Sequence, residues 1–224
     1  MMMFVEAYKK AFGVLIKKPI MLWGLSLLSV VITGVASVFS IGFLPIGIAF
    51  NFLINCGMAK VYLDGLEGKQ VNSDQLFSCF NKGFLRVVGG MAWMNLWIII
   101  WGLIPFVGPI CAIVKGYSYR FVPYILITKP DVSATQALRL SKEMTQGMKG
   151  QMFLADLVLY AAIFLVSLVL GLFSSIPIIG VLFALVMLAF LLVVAALSSV
   201  FVGLYQASFY MNKVKAEAEP TVTE

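Results

Sequence analysis

Histidine is absent from all 224 residues, and only 10 of them are Asp or Glu. The commonest general base and metal ligand is therefore missing. Three cysteines, Cys56, Cys79 and Cys111, show no CxxC spacing, so neither a zinc site nor a disulfide framework is indicated. They read as small buried side chains. No two carboxylates lie close together inside an apolar run, and there is no GxSxG and no phosphate-binding glycine loop. General acid–base, nucleophilic and metal chemistry all lack their players, and the chain reads as a non-enzyme with no metal and no cofactor.

Charge is equally scarce. Asp, Glu, Lys and Arg make up 12% of the chain, and residues 19–59, 87–114 and 157–212 contain none of them. A water-soluble domain of this length has to cover itself with charge, so such tracts need lipid or protein around them. What fills them is apolar: 62% of residues are hydrophobic and the mean hydropathy is +1.02. This is the composition of a membrane protein. The net charge of +6 does not point to nucleic acid, because the basic residues fall at the ends of the apolar tracts instead of forming one patch.

A spanning helix needs about 20 apolar residues. Six segments qualify, at about 20–41, 46–63, 87–104, 109–127, 151–173 and 178–211. The junctions after the first, third and fifth are short, uncharged and built on Pro and Gly: Pro45 with Gly47, Pro105 with Gly108, Pro177 with Gly180. Those after the second, fourth and sixth are longer and hold most of the remaining Lys and Arg. Cytoplasmic loops carry the Lys/Arg excess, so this alternation expects both termini in the cytoplasm and the three tight turns outside. Lys9, Lys10, Lys17 and Lys18 followed by an apolar run resemble a signal peptide in outline. The run continues to about Ile41, long enough to span, so cleavage is not expected.

Each odd-numbered span is preceded by a segment of helical periodicity. Phe4, Tyr8, Phe12 and Leu15 share a face, as do Phe77, Phe80 and Phe84, and Ala137, Leu140, Met144 and Met148, with Lys, Arg and Asn opposite. That is the pattern of helices lying in the membrane interface. Ser133 with Gln136 forms a capping-box signal for the third. The expected fold is thus an all-α membrane protein, six transmembrane helices as three hairpins with cytoplasmic interfacial amphipathic helices. Residues 1–215 form one polytopic domain and 216–224 a polar tail. The threefold pattern reads either as internal repetition or as the ordinary use of Pro and Gly in tight membrane hairpins. The sixth segment would rise about 50 Å as a straight helix, so it is expected to tilt, to bend near Ser198 and Ser199, or to project with Tyr205 and Tyr210 at headgroup level.

Four stretches carry a family resemblance: GMAKVYLDGLEGK at 57–69, DQLFSCFNKGFLR at 74–86, KGYSYRFVPYIL at 115–126 and KPDVSATQALRLSKEMTQGMKGQMFLADL at 129–157. From about Gly57 to Tyr160 the chain resembles a family of bacterial integral membrane proteins known only as domain of unknown function 975. The first span and the last third match it in hydrophobicity alone. Residues 147–151 read GMKGQ where the family usually has an aromatic or His before a Lys-Trp-like pair. The resemblance implies a multi-pass protein of the bacterial cytoplasmic membrane and supplies no activity.

Ionisable groups within spans are expensive and are functional candidates by default. Lys115, Arg120 and Asp156 qualify. Arg120 and Asp156 fall at similar depth, roughly 9 to 12 Å from the cytoplasmic end at 1.5 Å per residue, and could pair or could each serve orientation alone. Lys115 lies nearer mid-span and needs a partner or water. Asn51 and Asn55 on one face of the second span, Asn95 in the third, and the hydroxyls of Tyr117, Tyr119 and Tyr124 are the partners at comparable depth. Convergence would make a polar cavity open toward the cytoplasm; otherwise these are interhelical hydrogen bonds worth about 1 kcal/mol or less each. Pro123 is expected to kink the fourth span and free a carbonyl near residue 119.

Two functions follow. One is a non-enzymatic scaffold that organises membrane lipid, through anionic headgroups facing its lysines, or a partner membrane protein. The other is a small transporter or permease-like component whose cationic, cytoplasm-facing cavity attracts an anion.

Overall fold

The computed structural model describes residues 3–17, 19–39, 44–81, 83–174, 176 and 180–218, and among these every regular element is helical. The elements are α1 (Met3–Lys17), α2 (Pro19–Phe39), α3 (Leu44–Leu66), α4 (Ser73–Leu76), α5 (Ser78–Asn81), α6 (Phe84–Gly102), α7 (Gly108–Ser118), α8 (Val122–Thr128), α9 (Ala134–Met144), α10 (Lys149–Ser174) and α11 (Gly180–Ala218). Six stretches are long and apolar enough to cross a membrane: Ile20–Val38, Pro45–Leu66, Phe84–Gly102, Gly108–Thr128, Lys149–Ser174 and Gly180–Glu217. The fold is that of a multi-pass, all-α membrane protein. Of the three Pro-Gly junctions, Pro177 lies outside the described residues, as do Lys18 and the tail from Glu219.

Packing is uneven along the helix axes. At the end that carries α1 and α9, side chains such as Leu22, Leu53, Leu76, Phe121, Leu126, Met152 and Leu204 are fully buried. Toward the other end the spans turn apolar side chains outward, among them Val31, Ile99, Ile113, Leu165 and Leu192. That division is expected when lipid rather than water meets the outer surface, because exposed Leu and Val then cost nothing.

Close approach needs small residues where α11 crosses α3. A Cβ at Gly203 would fall inside the Tyr62 ring, so this position admits no side chain without moving that ring. Gly57 does the same for the short helix α4, whose Leu76 backbone lies against it.

Several local expectations change. The segment before the third span is not one amphipathic helix: it forms two single turns, α4 and α5. They bury Leu76 and Cys79, while Phe77 between them and Phe84 at the start of α6 are half exposed. Gly83 at φ 75° breaks the periodicity before α6 starts. On α1 the buried pair is Ala7 and Ala11, whose small side chains admit close contact with the neighbouring helices, while Phe12 points outward at 57% exposure. The Ser133 capping box is present, with Ser133 Oγ accepting from the Gln136 N–H. Helix α11 runs unbroken past Ser198 and Ser199 and continues through Ala218, about 58 Å at 1.5 Å per residue. Residues 216–218, expected as tail, are therefore helical. Tyr205 and Tyr210 are buried inside protein.

Candidate functional site

The fourth span is interrupted, and the sequence explains how. Pro123 has no N–H to give the carbonyl of Tyr119, so that carbonyl takes the Val122 N–H instead, at 3.0 Å. The Ser118 carbonyl thereby loses its regular partner. Helix α9 supplies substitutes: Ser141 Oγ donates to Ser118 O at 2.9 Å and Thr145 Oγ1 at 3.3 Å, while the Phe121 N–H donates to Ser141 Oγ at 3.2 Å. Ser118, Ser141 and Thr145 are all buried. The freed carbonyl is thus Ser118's, and α8 starts one residue before the proline, where Pro is tolerated. Arg86, at the start of α6, closes the other end of α8 through the carbonyls of Leu126, Lys129 and Val132.

The break aims Arg120 at α10. Its Nη1 lies 2.6 Å from Asp156 Oδ2, and Tyr117 Oη donates to the same oxygen at 2.7 Å. Tyr205 Oη on α11 donates to Asp156 Oδ1. With its amide oxygen turned to the guanidinium, Gln206 accepts from Arg120 Nε at 2.9 Å and Nη2 at 2.7 Å. The Tyr117 ring lies under Arg120 Cζ at 4.8 Å. Asp156 is only 8% exposed, and the charge of each partner is compensated by the other. Tyr8 extends the network to α1, donating to the Ala155 carbonyl with its ring 5.4 Å from Tyr205. Burial, with the Asp156 carboxylate as a second cause, pushes the Tyr8 hydroxyl up to about 12.

Beside this network is a cavity of about 670 Å³ between α2, α3, α6, the α7/α8 break and α11. Asn51, Asn55, Asn95, Tyr119 and Arg120 all line it; Tyr117, Asp156 and Lys115 do not. Lys115 instead lies with Nζ 4.6 Å from the centre of the Trp101 ring. Of its apolar lining, Ile54, Met58, Ala59 and Met91 are buried, while Val30 is exposed.

Its wall carries several amides and hydroxyls. Ser29 Oγ, Thr33 Oγ1, Asn51 Nδ2 and Asn95 Nδ2 each donate back into their own helices, to Ser26, Ser29, Gly47 and Met91 carbonyls at 2.7 to 2.9 Å. Tyr62 and Tyr124 donate their hydroxyl protons to the carbonyls of Ser199 and Gly203. Asn51 and Asn95 each keep a second amide N–H, and Asn55 and the Tyr119 hydroxyl line the cavity too, so the side chains offer a guest both protons and oxygen lone pairs. Among the described residues Arg120 is the one charged lining residue, and Asp156 neutralises it.

Sequence reasoning missed Gln206, Tyr205 and Arg86. Gln206 carried the signal that singled out the three asparagines, an amide inside an uncharged tract. Among the described residues no group of His, Cys, Asp and Glu is placed to hold a metal. Comparison of the chain with protein-family models, with curated proteins and with solved structures finds no match.

Proposed function

We propose that this chain is a non-enzymatic, lipid-organising protein of the bacterial cytoplasmic membrane, related to the family it resembles. Both termini lie in the cytoplasm and the six spans form three hairpins. The observation that carries the reading is the 670 Å³ cavity, large enough for a lipid headgroup and bordered by outward-facing apolar side chains that suit acyl chains. Its polar, charge-balanced wall of amides and hydroxyls complements a neutral, hydroxyl-rich headgroup, such as a sugar or glycerol, better than an anion. Among the described residues no carboxylate, thiol or imidazole lines it, which fits binding without chemistry.

The test is lipid retention. The protein is placed in nanodiscs of phosphatidylcholine containing 5 mol% glucosyl-diacylglycerol and 5 mol% diacylglycerol (order-of-magnitude doses, about 1 in 20 lipids), and bound lipid is read by native mass spectrometry. The glucosyl lipid should be retained over diacylglycerol, and Asn51→Leu with Asn95→Leu should abolish the preference. Equal retention of both lipids by the wild type sinks the reading.

The break in the fourth span, lying at the cavity wall, favours a second reading, since interrupted helices mark substrate sites in transporters. Under it the same hydroxyl-rich chemistry belongs to a soluble solute. Uptake of radiolabelled glycerol or glucose into proteoliposomes, lost in Asn51→Leu, would decide for transport; no uptake above empty liposomes would decide against it.

A further inference from the structure

A second pocket, of about 350 Å³, lies between α1 and α11 at the end of the bundle that carries the termini. Four lysines line it: Lys9, Lys10 and Lys17 from α1, and Lys215 from α11. Among the described residues no Asp or Glu does. Asn212 fixes one of the four, accepting from Lys10 Nζ at 2.8 Å. Four lysines at one pocket concentrate positive charge that a bound anion would offset.

Two further features point to a ligand and not to a solvated charge cluster. Ser208 lines the pocket, is 1% exposed, and its hydroxyl has no hydrogen-bond partner. A buried hydroxyl without a partner costs free energy that a bound acceptor would recover. Gly13, which with Val14 lines the pocket between Lys10 and Lys17, leaves open space where a Cβ would stand. Larger side chains there would fill the pocket.

We propose that this pocket binds a phosphate group, with the lysines supplying charge and Ser208 donating its hydroxyl proton to a phosphate oxygen. The shared chemistry has two sources, an anionic phospholipid headgroup or a free phosphate. Lipid is the nearer source, because Phe12 and Ile16 on α1 and Ile20 at the start of α2 expose apolar side chains, and basic pockets at the cytoplasmic ends of spans suit anionic headgroups. This site is separate from the larger cavity and stands or falls without it.

The test uses the full chain in nanodiscs. In one arm, phosphatidylcholine discs carry phosphatidylglycerol at about one lipid in ten, enough to saturate a site that prefers it, and retained lipid is read by native mass spectrometry. In the other, inorganic phosphate is titrated onto protein in discs of phosphatidylcholine alone, and the thermal midpoint is followed. Lys9→Gln with Lys215→Gln should weaken binding about fivefold per lysine. Gly13→Leu, which leaves the charge unchanged, should abolish it, and Ser208→Ala should weaken it. Enrichment of phosphatidylglycerol that these variants lose assigns the site to lipid. A phosphate-induced rise in midpoint that they lose, without lipid enrichment, assigns it to a soluble phosphate. The proposal is overturned if neither signal is seen, or if Gly13→Leu and the double lysine variant bind as the wild type does.

Discussion

Arg120 and Asp156 meet at 2.6 Å across the gap between the broken fourth span and α10, and each is also held by groups from α11. One ion pair thus ties three helices together at the level where the cavity begins. Depth counting from the sequence placed the two side chains level with one another, and α7, which leads into Arg120, packs against α10.

Removing one partner should cost more than removing both. Asp156→Asn leaves the guanidinium without its counter-charge in a site where Arg120 keeps 20% side-chain exposure. A loss of about 2 to 4 kcal/mol is expected, discounted from a fully buried pair. The double variant Arg120→Gln with Asp156→Asn should lose less than the sum of the two singles. Thermal unfolding of the four proteins in one detergent provides the cycle; additivity would show that the pair is not coupled.

The break in the fourth span should depend on α9 hydroxyls. Ser141→Ala takes a donor from the Ser118 carbonyl and the acceptor from the Phe121 N–H in one step. About 1 to 3 kcal/mol is expected, the usual cost of leaving buried polar groups unsatisfied. Thr145→Val, which removes the longer of the two bonds, should cost less. Chemical denaturation monitored by tryptophan fluorescence checks the order.

What the sequence disclosed follows from what it encodes locally. The spans were legible because a run such as 157–212 contains no charge to interrupt it. Asn51, Asn55, Asn95 and Arg120 were legible as cavity residues because polar groups in apolar tracts are individually conspicuous. Tyr205 and Gln206 were not, since their role depends on α11 lying beside α10 and the break between α7 and α8, and periodicity fixes a helix face without naming the neighbour it meets. The same limit applied to Pro123. Its missing N–H was plain, but which carbonyl was orphaned depended on how Val122 rebonded, and its rescue depended on α9.

Tyr8 should make stability fall at high pH. Its folded value, about 12, lies above the ordinary 10, because burial disfavours the phenolate. A group raised in the folded state stabilises below its unfolded value and loses that contribution as pH climbs through the folded one. The advantage of wild type over Tyr8→Phe should therefore be constant up to about pH 10 and shrink toward pH 12. Thermal midpoints of both proteins across that range test it; an advantage unchanged at pH 12 would contradict the burial of this hydroxyl.

Gly203 should tolerate no side chain while Tyr62 is present. Gly203→Ala drives a methyl into the Tyr62 ring at the α3–α11 crossing. Overpacking of this kind costs about 1 to 3 kcal/mol. Adding Tyr62→Leu to the alanine variant should recover part of the loss, since the smaller side chain vacates the space, although Tyr62→Leu alone destabilises by creating a void. Recovery in the double variant is the diagnostic result.

Lys115 separates a cation in a binding site from a cation that merely needs company. Its ammonium lies 4.6 Å from the centre of the Trp101 ring and outside the cavity lining, so its partner is an aromatic face on α6 and not a guest. Such a contact is worth about 0.5 to 1 kcal/mol where the pair is partly exposed. Lys115→Met keeps the aliphatic stem against the ring and loses only the charge. It should cost no more than that amount and leave lipid retention by the cavity unchanged, whereas Asn51→Leu should cost little stability and reduce retention. If Lys115→Met instead reduced retention with the fold intact, the ammonium would have to reach the cavity in the membrane, and an anion-binding site there would become the better account.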